Sequence, residues 1–297
     1  MEQDLERVCC NFCGEDKPSL FLTENGFHLQ RCTRCGLLYV NPRPGPDNPR
    51  LSHSHEYNEY IERYSRHSEM FVDEARRRLA QVMNWKEGGK LLDIGCAAGI
   101  FLDCARQKGW EVYGVEPDSR VAEYAINQLK LDVAICNFLK NQLPDNEFDA
   151  VTAHNIISHV PDPALFFREV MRVLKPGGIF IMHTGNGAEL SSKEQGESLG
   201  ERWVTPDHLY HFSENLLRKY LERAGFTIEQ VQKIHIVDFL FSEENLATFK
   251  GSRMKSVLKT TVVKVPGLRK LSCALARLSV WAFTGSRLSK LALVARK

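Results

Sequence analysis

LLDIGCAAGIFL (91–102) is the stretch whose reading decides the fold of this chain. An apolar run ends in Asp93, turns through Gly95, Cys96, Ala97, Ala98 and Gly99, and enters a helical pattern at Ile100. Glycine and alanine keep side chains out of such a turn, so a ligand can press against the backbone. The next apolar run, EVYGVEP, ends in Glu116, seventeen residues beyond Gly99. A carboxylate at the end of a second strand is placed to accept both hydroxyls of a ribose. The spacing is not the G-x-G-x-x-G of a dinucleotide turn.

Outward from this stretch, KLLDIG, WEVYGVEP, DVAIC, FDAVTAH and GIFIMHT read as strands. They are nearly unbroken apolar runs, as a sheet covered on both faces requires. Between them FLDCARQKG, SRVAEYAINQLK and PALFFREVMRVLK carry apolar residues at helical spacing. Strands alternating with helices predict an α/β fold with a doubly wound, mostly parallel sheet. Its ligand is expected at the carboxyl ends of the strands, at the switch point.

Upstream, Cys10-x2-Cys13 and Cys32-x2-Cys35 are separated by eighteen residues, and each pair is followed by glycine, Gly14 and Gly36. The spacing is that of a four-thiolate zinc site, and glycine permits the tight turn that aims two thiolates at one ion. Four thiolates close the tetrahedron, so Zn2+ here is expected to be structural. Cys9 and His28 lie nearby but pair less regularly. The expected organisation is a zinc ribbon at 9–42, a proline-rich linker at 43–57, a helical cap at 58–84 and the α/β domain at 85–297. The fragment between the cysteine pairs, FLTENGFHLQR, is poor in basic residues and gives no reason to expect nucleic acid.

The acidic-x-Gly-x-x-x-Gly turn resembles the first motif of class I S-adenosylmethionine-dependent methyltransferases. LPDNEFDAVTAHNIISHVPDP (143–163) resembles that family's fourth strand and following loop, and RVLKPGGIFIMHT (172–184) its helix, turn and fifth strand. HLYHFSENLLRKYLERAGF (208–226) resembles the approach to the sixth strand, and RLSKLALVARK the antiparallel seventh. The resemblance implies a seven-stranded sheet and a bound S-adenosyl-L-methionine. It also matches a bacterial subgroup with zinc-binding N-termini. Carried onto this sequence, Asp93, Gly95, Cys96, Ala97 and Gly99 should cradle the methionine moiety, and Glu116 the ribose, with Pro117 against the adenine. Asn137 and Phe138 stand where the family contacts the adenine, although it often has an aspartate there. His154 and Asn155 should line the cofactor near its sulfonium.

Methyl transfer depends on positioning, and a hydroxyl or amine acceptor can also need a base, most often histidine. Candidates at strand ends and loops are His154, His159, His183, His208 and His211. His208 and His211, with Tyr210 and Glu201, lie in a polar, aromatic segment after the fifth strand and are the expected catalytic group. The position of the Asn-Pro-Pro-aromatic turn of nucleobase amino methylases reads His-Asn-Ile-Ile, which argues against that substrate. The expected acceptor is a small molecule: a sugar, a natural product or a lipid-linked intermediate. An RNA- or protein-modifying enzyme and a non-catalytic cofactor-binding scaffold are the alternatives.

The net charge of +2 conceals an asymmetry. Lys250 to Lys297 hold twelve basic residues and no acidic one, leaving 27 basic against 37 acidic before them. Within a basic insertion at 245–286, Leu268, Leu271, Leu275, Leu278 and Ala282 recur at helical spacing, with Trp281 and Phe283 at the end. Such a helix can lie on an anionic membrane through 255–284 or pack on the core. The opening MEQDLER is unlike a signal peptide, the nine cysteines are an odd number, and no run spans a bilayer. A cytoplasmic protein is expected, with a peripheral contact at the inner membrane face if the basic helix binds lipid.

Overall fold

The computed structural model describes residues 5–24, 26–45, 68–188, 208–235 and 289–297. The chain begins with β1 (Leu5–Glu6), β2 (Ser19–Glu24), β3 (Phe27–Arg31), β4 (Leu38–Val40) and β5 (Arg43–Pro44). Helix α1 (Ser68–Met83) follows, then β6 (Lys90–Ile94), α2 (Ile100–Gln107), β7 (Glu111–Val115), α3 (Ser119–Asn127) and β8 (Val133–Ala134). The second half contains β9 (Phe148–His154), α4 (Pro163–Val173), β10 (Leu174–Gly185), β11 (Tyr210–His211), α5 (Glu214–Ala224), β12 (Thr227–His235) and β13 (Ser289–Arg296).

The main sheet has seven strands in the order β12-β13-β10-β9-β6-β7-β8. β10, β9, β6, β7 and β8 run parallel, and β13 and β12 are antiparallel at one edge. Parallel strands buried on both faces need apolar residues throughout. Accordingly Leu91, Leu92 and Ile94 of β6, and Ile179, Phe180, Ile181 and Met182 of β10, are at most 2% exposed. The helices start where side chains can satisfy their free N–H groups: Asp118 caps α3, Asp162 caps α4 and Ser213 caps α5. Gly225, at φ 98°, closes α5 in the left-handed region that favours glycine.

The five strands read from the sequence are all present. The sheet order reverses direction at β6, whose two neighbours are β7 and β9. The carboxyl ends of β6 and β9 therefore form the crevice where ligands of such sheets bind. The helix expected over 58–84 is found as Ser68–Met83, with 58–67 outside the described residues. Arg43–Pro44, expected in the linker, pairs with Leu5–Glu6 as a two-stranded sheet, and 46–57 lie outside the described residues. Arg43 is 8% exposed, and its guanidinium is held by Glu6 at 2.9 Å. The basic insertion at 245–286, the 255–284 stretch and Glu201 lie outside the described residues. Among the described residues no helix is long and apolar enough to cross a membrane.

Candidate active site and zinc ribbon

The glycine-rich turn takes its shape from a left-handed backbone at three alternate positions. Gly95 has φ 73°, Ala97 φ 49° and Gly99 φ 77°. A Cβ on Gly95 would lie 2.2 Å from Ile156 Cδ1, and one on Gly99 2.7 Å from Ala125 Cβ. Glycine is therefore demanded twice over, by conformation and by space. Glu116, at the end of β7, ties the turn down: its carboxylate accepts from Ala97 N and Asp118 N, each at 3.0 Å. Gly95 N and Cys96 N also donate to Val115 O. Cys96 is buried, with Sγ where a Cβ of Gly114 would have to be.

Asp93 is buried at the end of β6, accepting from Thr152 Oγ1 at 2.7 Å. Burial pushes its carboxyl up to about 7, while the Thr152 bond and nearby Arg78 pull the other way. Asn155 turns the chain out of β9 at φ 60°, a conformation asparagine tolerates, and Asn155 N donates to His183 O at 2.8 Å. Pro117 is exposed beside Glu116, and Asn137 is exposed with Oδ1 accepting from Leu139 N. Phe138 departs from the adenine contact expected of it. It is 5% exposed and packs edge-on against Phe166 at 5.5 Å, because the short helical turn Phe138–Lys140 points it into the core.

His154 ends β9 and stands in register with His183, two residues before the end of the adjacent strand β10. Their Nδ1 atoms are 3.2 Å apart, and His183 Nε2 is 2.9 Å from Gln81 Oε1 of α1. Burial lowers both: His154 well below the ordinary histidine range and His183 to about 4, with Arg78 adding to the effect. Gln81 and Arg78 were not expected site residues. Helical periodicity marks the apolar face of α1, but it does not reveal which polar residues border it.

His208 and His211 lie near one another, with rings 6.4 Å apart, and the His208 ring is 4.4 Å from His159. These three histidines form one group beside the Ile157–His159 turn, where Leu209 N donates to Ser158 O at 2.8 Å. Tyr210 does not suit the catalytic role expected for it. It is 2% exposed, accepts from Arg43 Nη1 at 2.7 Å and donates to Pro161 O at 3.1 Å. β11 sends Tyr210 into the core with Phe212, two residues on, while His211 between them stays partly exposed.

The four cysteines fit a zinc ion. Their sulfurs all lie within 4.8 Å of one another, with Cys10 and Cys35 at 3.5 Å and Cys13 and Cys32 at 3.4 Å. Tetrahedral zinc with bonds of about 2.3 Å sets its sulfurs about 3.8 Å apart. The two turns are built alike: Gly14 N donates to Cys10 O and Gly36 N to Cys32 O, with both glycines at positive φ. No position is left open for a substrate or water.

The ribbon is joined to the α/β body. Its sheet runs β11-β4-β3-β2, so the strand carrying His211 completes it. Asn11, between the two cysteines of the first turn, donates to Asp162 Oδ1 and accepts from Ala164 N and Tyr220 OH. Phe12 lies edge-on to Tyr220 at 4.9 Å and under Arg223, whose guanidinium also donates to Phe12 O.

A family described as a methyltransferase domain matches residues 61–231. The ubiquinone biosynthesis O-methyltransferase of Bradyrhizobium sp. is 32% identical over 149 residues, 44% of this chain and 59% of that one. A sterol 24-C-methyltransferase of Aspergillus fumigatus is 38% identical over 110 residues, 34% of this chain and 29% of that one. The chain thus spans less than two thirds of each relative. Among solved structures, Haemonchus contortus phosphoethanolamine N-methyltransferase 2 aligns with TM-score 0.59 at 15% identity, over 93% of this chain and 71% of that one. A methyltransferase from Archaeoglobus fulgidus aligns with TM-score 0.52 at 18% identity, over 81% and 99%. These two likenesses are of fold. With the family match covering more than half the chain and the strand order in place, the chain belongs to the class I S-adenosylmethionine-dependent methyltransferases.

Proposed function

We propose that this protein transfers a methyl group from S-adenosylmethionine to a small-molecule acceptor. The observation that carries this reading is the Gly95–Gly99 turn tied by Glu116 at the switch point of the sheet. Gly95, Ala97 and Gly99 leave the backbone open to the methionine moiety, and Asp93 lies at its floor. Glu116 takes the ribose hydroxyls, with Pro117 and Asn137 at the rim toward the adenine. Bound there, the cofactor supplies an electrophilic methyl group.

Binding of the acceptor molecule is assigned to His208 and His211, supported by His159; Glu201, expected with them, lies outside the described residues. The ribbon beside these histidines is fixed to α4 and α5 through Asn11. The names of the relatives, a ubiquinone-pathway O-methyltransferase and a sterol methyltransferase, favour an apolar or lipid-linked acceptor over an RNA or protein. The ribbon's zinc has no chemical part in this reading. It holds the wall on which the histidine segment is strung.

The test is to incubate purified protein with methyl-labelled cofactor and host extract, then separate aqueous, solvent-extractable and precipitable fractions. Label in either of the first two supports a small acceptor, and label in the solvent phase a lipid-linked one. Label confined to the precipitate refutes the small-molecule reading.

A further inference from the structure

Two histidine Nδ1 atoms 3.2 Å apart share one proton, so one ring donates and the other accepts. The second bond of the pair decides which. His183 Nε2 faces the Gln81 carbonyl oxygen at 2.9 Å, and that oxygen only accepts, so His183 carries its proton on Nε2. His183 Nδ1 is then a lone pair, and His154 must donate to it from Nδ1. His154 is left with an unprotonated Nε2. That atom has no hydrogen-bond partner among the described residues and no solvent contact, although the residue as a whole is only partly buried.

An unsatisfied acceptor in a shielded position costs about 1–3 kcal/mol, which a structure keeps only where something else supplies the donor. The ring is fixed on every side. Phe101, two residues past the glycine-rich turn, lies edge-on to it at 5.4 Å, and His183 holds it from β10. His154 also ends β9 at the crevice beside that turn.

We infer that His154 Nε2 is the acceptor for the proton of a hydroxyl-bearing substrate, with His183 and Gln81 as positioning residues that fix its tautomer. The inference deepens the proposed function and rests on it. As the acceptor oxygen bonds to the methyl carbon, its O–H bond breaks and the proton moves to His154 Nε2. The carbon–sulfur bond breaks with its electron pair left on sulfur. One positive charge thus moves from sulfonium to imidazolium, and no new charge is made in the buried site. A substrate with a neutral O–H satisfies Nε2; an already ionised oxygen does not, because it has no proton to offer.

The charged and titratable groups acting on the pair are Arg78 and Glu74 of α1 and Lys290 of β13, with the two rings acting on each other. Burial, aided by Arg78 and Lys290, holds the rings neutral, so kcat/KM should stay level well below pH 6.5 before its acid limb begins. Gln81→Glu places an anion against His183 and should move that limb to higher pH while keeping the acceptor oxygen.

The experiment uses the zinc-loaded full chain with 15N-labelled histidine. Long-range proton–nitrogen spectra at pH 7, assigned with His154→Asn and His183→Asn, should show bare Nε2 on His154 and protonated Nε2 on His183. Protonated Nε2 on His154 overturns the inference. With methyl-labelled cofactor and host extract, His154→Asn and the space-filling His154→Gln should each lose about 100-fold or more of the transfer rate. Calorimetric affinity for the cofactor should stay within about three-fold, since the loss is one of proton transfer rather than of binding. Undiminished transfer by both variants refutes the role of His154 and leaves methyl transfer standing. A wild type that binds cofactor yet labels nothing refutes both.

Discussion

Glu116 joins two parts of the cofactor site, because one carboxylate accepts from both the glycine-rich turn and the start of α3. Removing it should free Ala97 N and Asp118 N as well as delete the carboxylate proposed to hold the ribose. Charged hydrogen bonds of this kind are worth about 1.5–3 kcal/mol each. Glu116→Ala should therefore weaken cofactor binding by about 100-fold, measured by calorimetry, with Glu116→Gln in between. Asp93 gives a second prediction at this scale. Its carboxyl is raised by burial to about 7. If the cofactor's ammonium settles against it, the ionised form is favoured and a proton is released. Affinity should then rise with pH up to about 7 and level off, with proton release visible in buffers of different ionisation enthalpy. Asp93→Asn should abolish that release.

At the scale of elements, the junction of ribbon and α/β domain is governed by Arg43. Its guanidinium serves Glu6, the Pro161 carbonyl and the Tyr210 hydroxyl at once. Arg43→Ala removes three hydrogen bonds while the bond from the Tyr210 hydroxyl to Pro161 O remains, and should cost about 1–3 kcal/mol, read as a lowered denaturant midpoint at unchanged m-value. The strands, the helices and the turn at 95–99 were legible in the sequence because each is set by local pattern: apolar runs, helical spacing and glycine. The cysteine spacing was legible for the same reason. What the sequence hid is non-local. β11 is two residues long, and only its partner Leu38–Val40, some 170 positions away, makes it a strand. Tyr210 and Phe138 read as site residues because their positions in the chain suit a site. Their side chains instead follow the alternation of β11 and the twist of a short helical turn into the core. Gln81 escaped because a polar residue on a helix has no periodic signature of its own.

For the whole molecule, titration separates two buried groups of opposite sign. His183 is held down to about 4 by burial, so its contribution to stability is present above the ordinary histidine value near 6.5 and is lost as pH falls toward 4. Asp93, raised to about 7, contributes most below the ordinary carboxylate value and loses that contribution as pH rises through 7. Between about pH 4.5 and 6.5 each changes stability by up to about 1.4 kcal/mol per pH unit, in opposite directions. Asp93→Asn should uncover the histidine slope. The variant should lose stability on acidification more steeply than the wild type by about that amount, as measured by denaturant unfolding at a series of pH values.

Asn11 touches α4 through Asp162 and Ala164 and α5 through Tyr220, from between two residues that would bind the metal. Among the described residues, the ribbon and the α/β body consequently share no seam at which an engineer could cut. A shortened version beginning at α1 would bare the Tyr210 and Tyr220 rings and strip a helix start of one of its caps, so trimming would yield an aggregating remnant rather than a minimal enzyme. Any chimera that borrows this α/β body must borrow residues 5–45 with it.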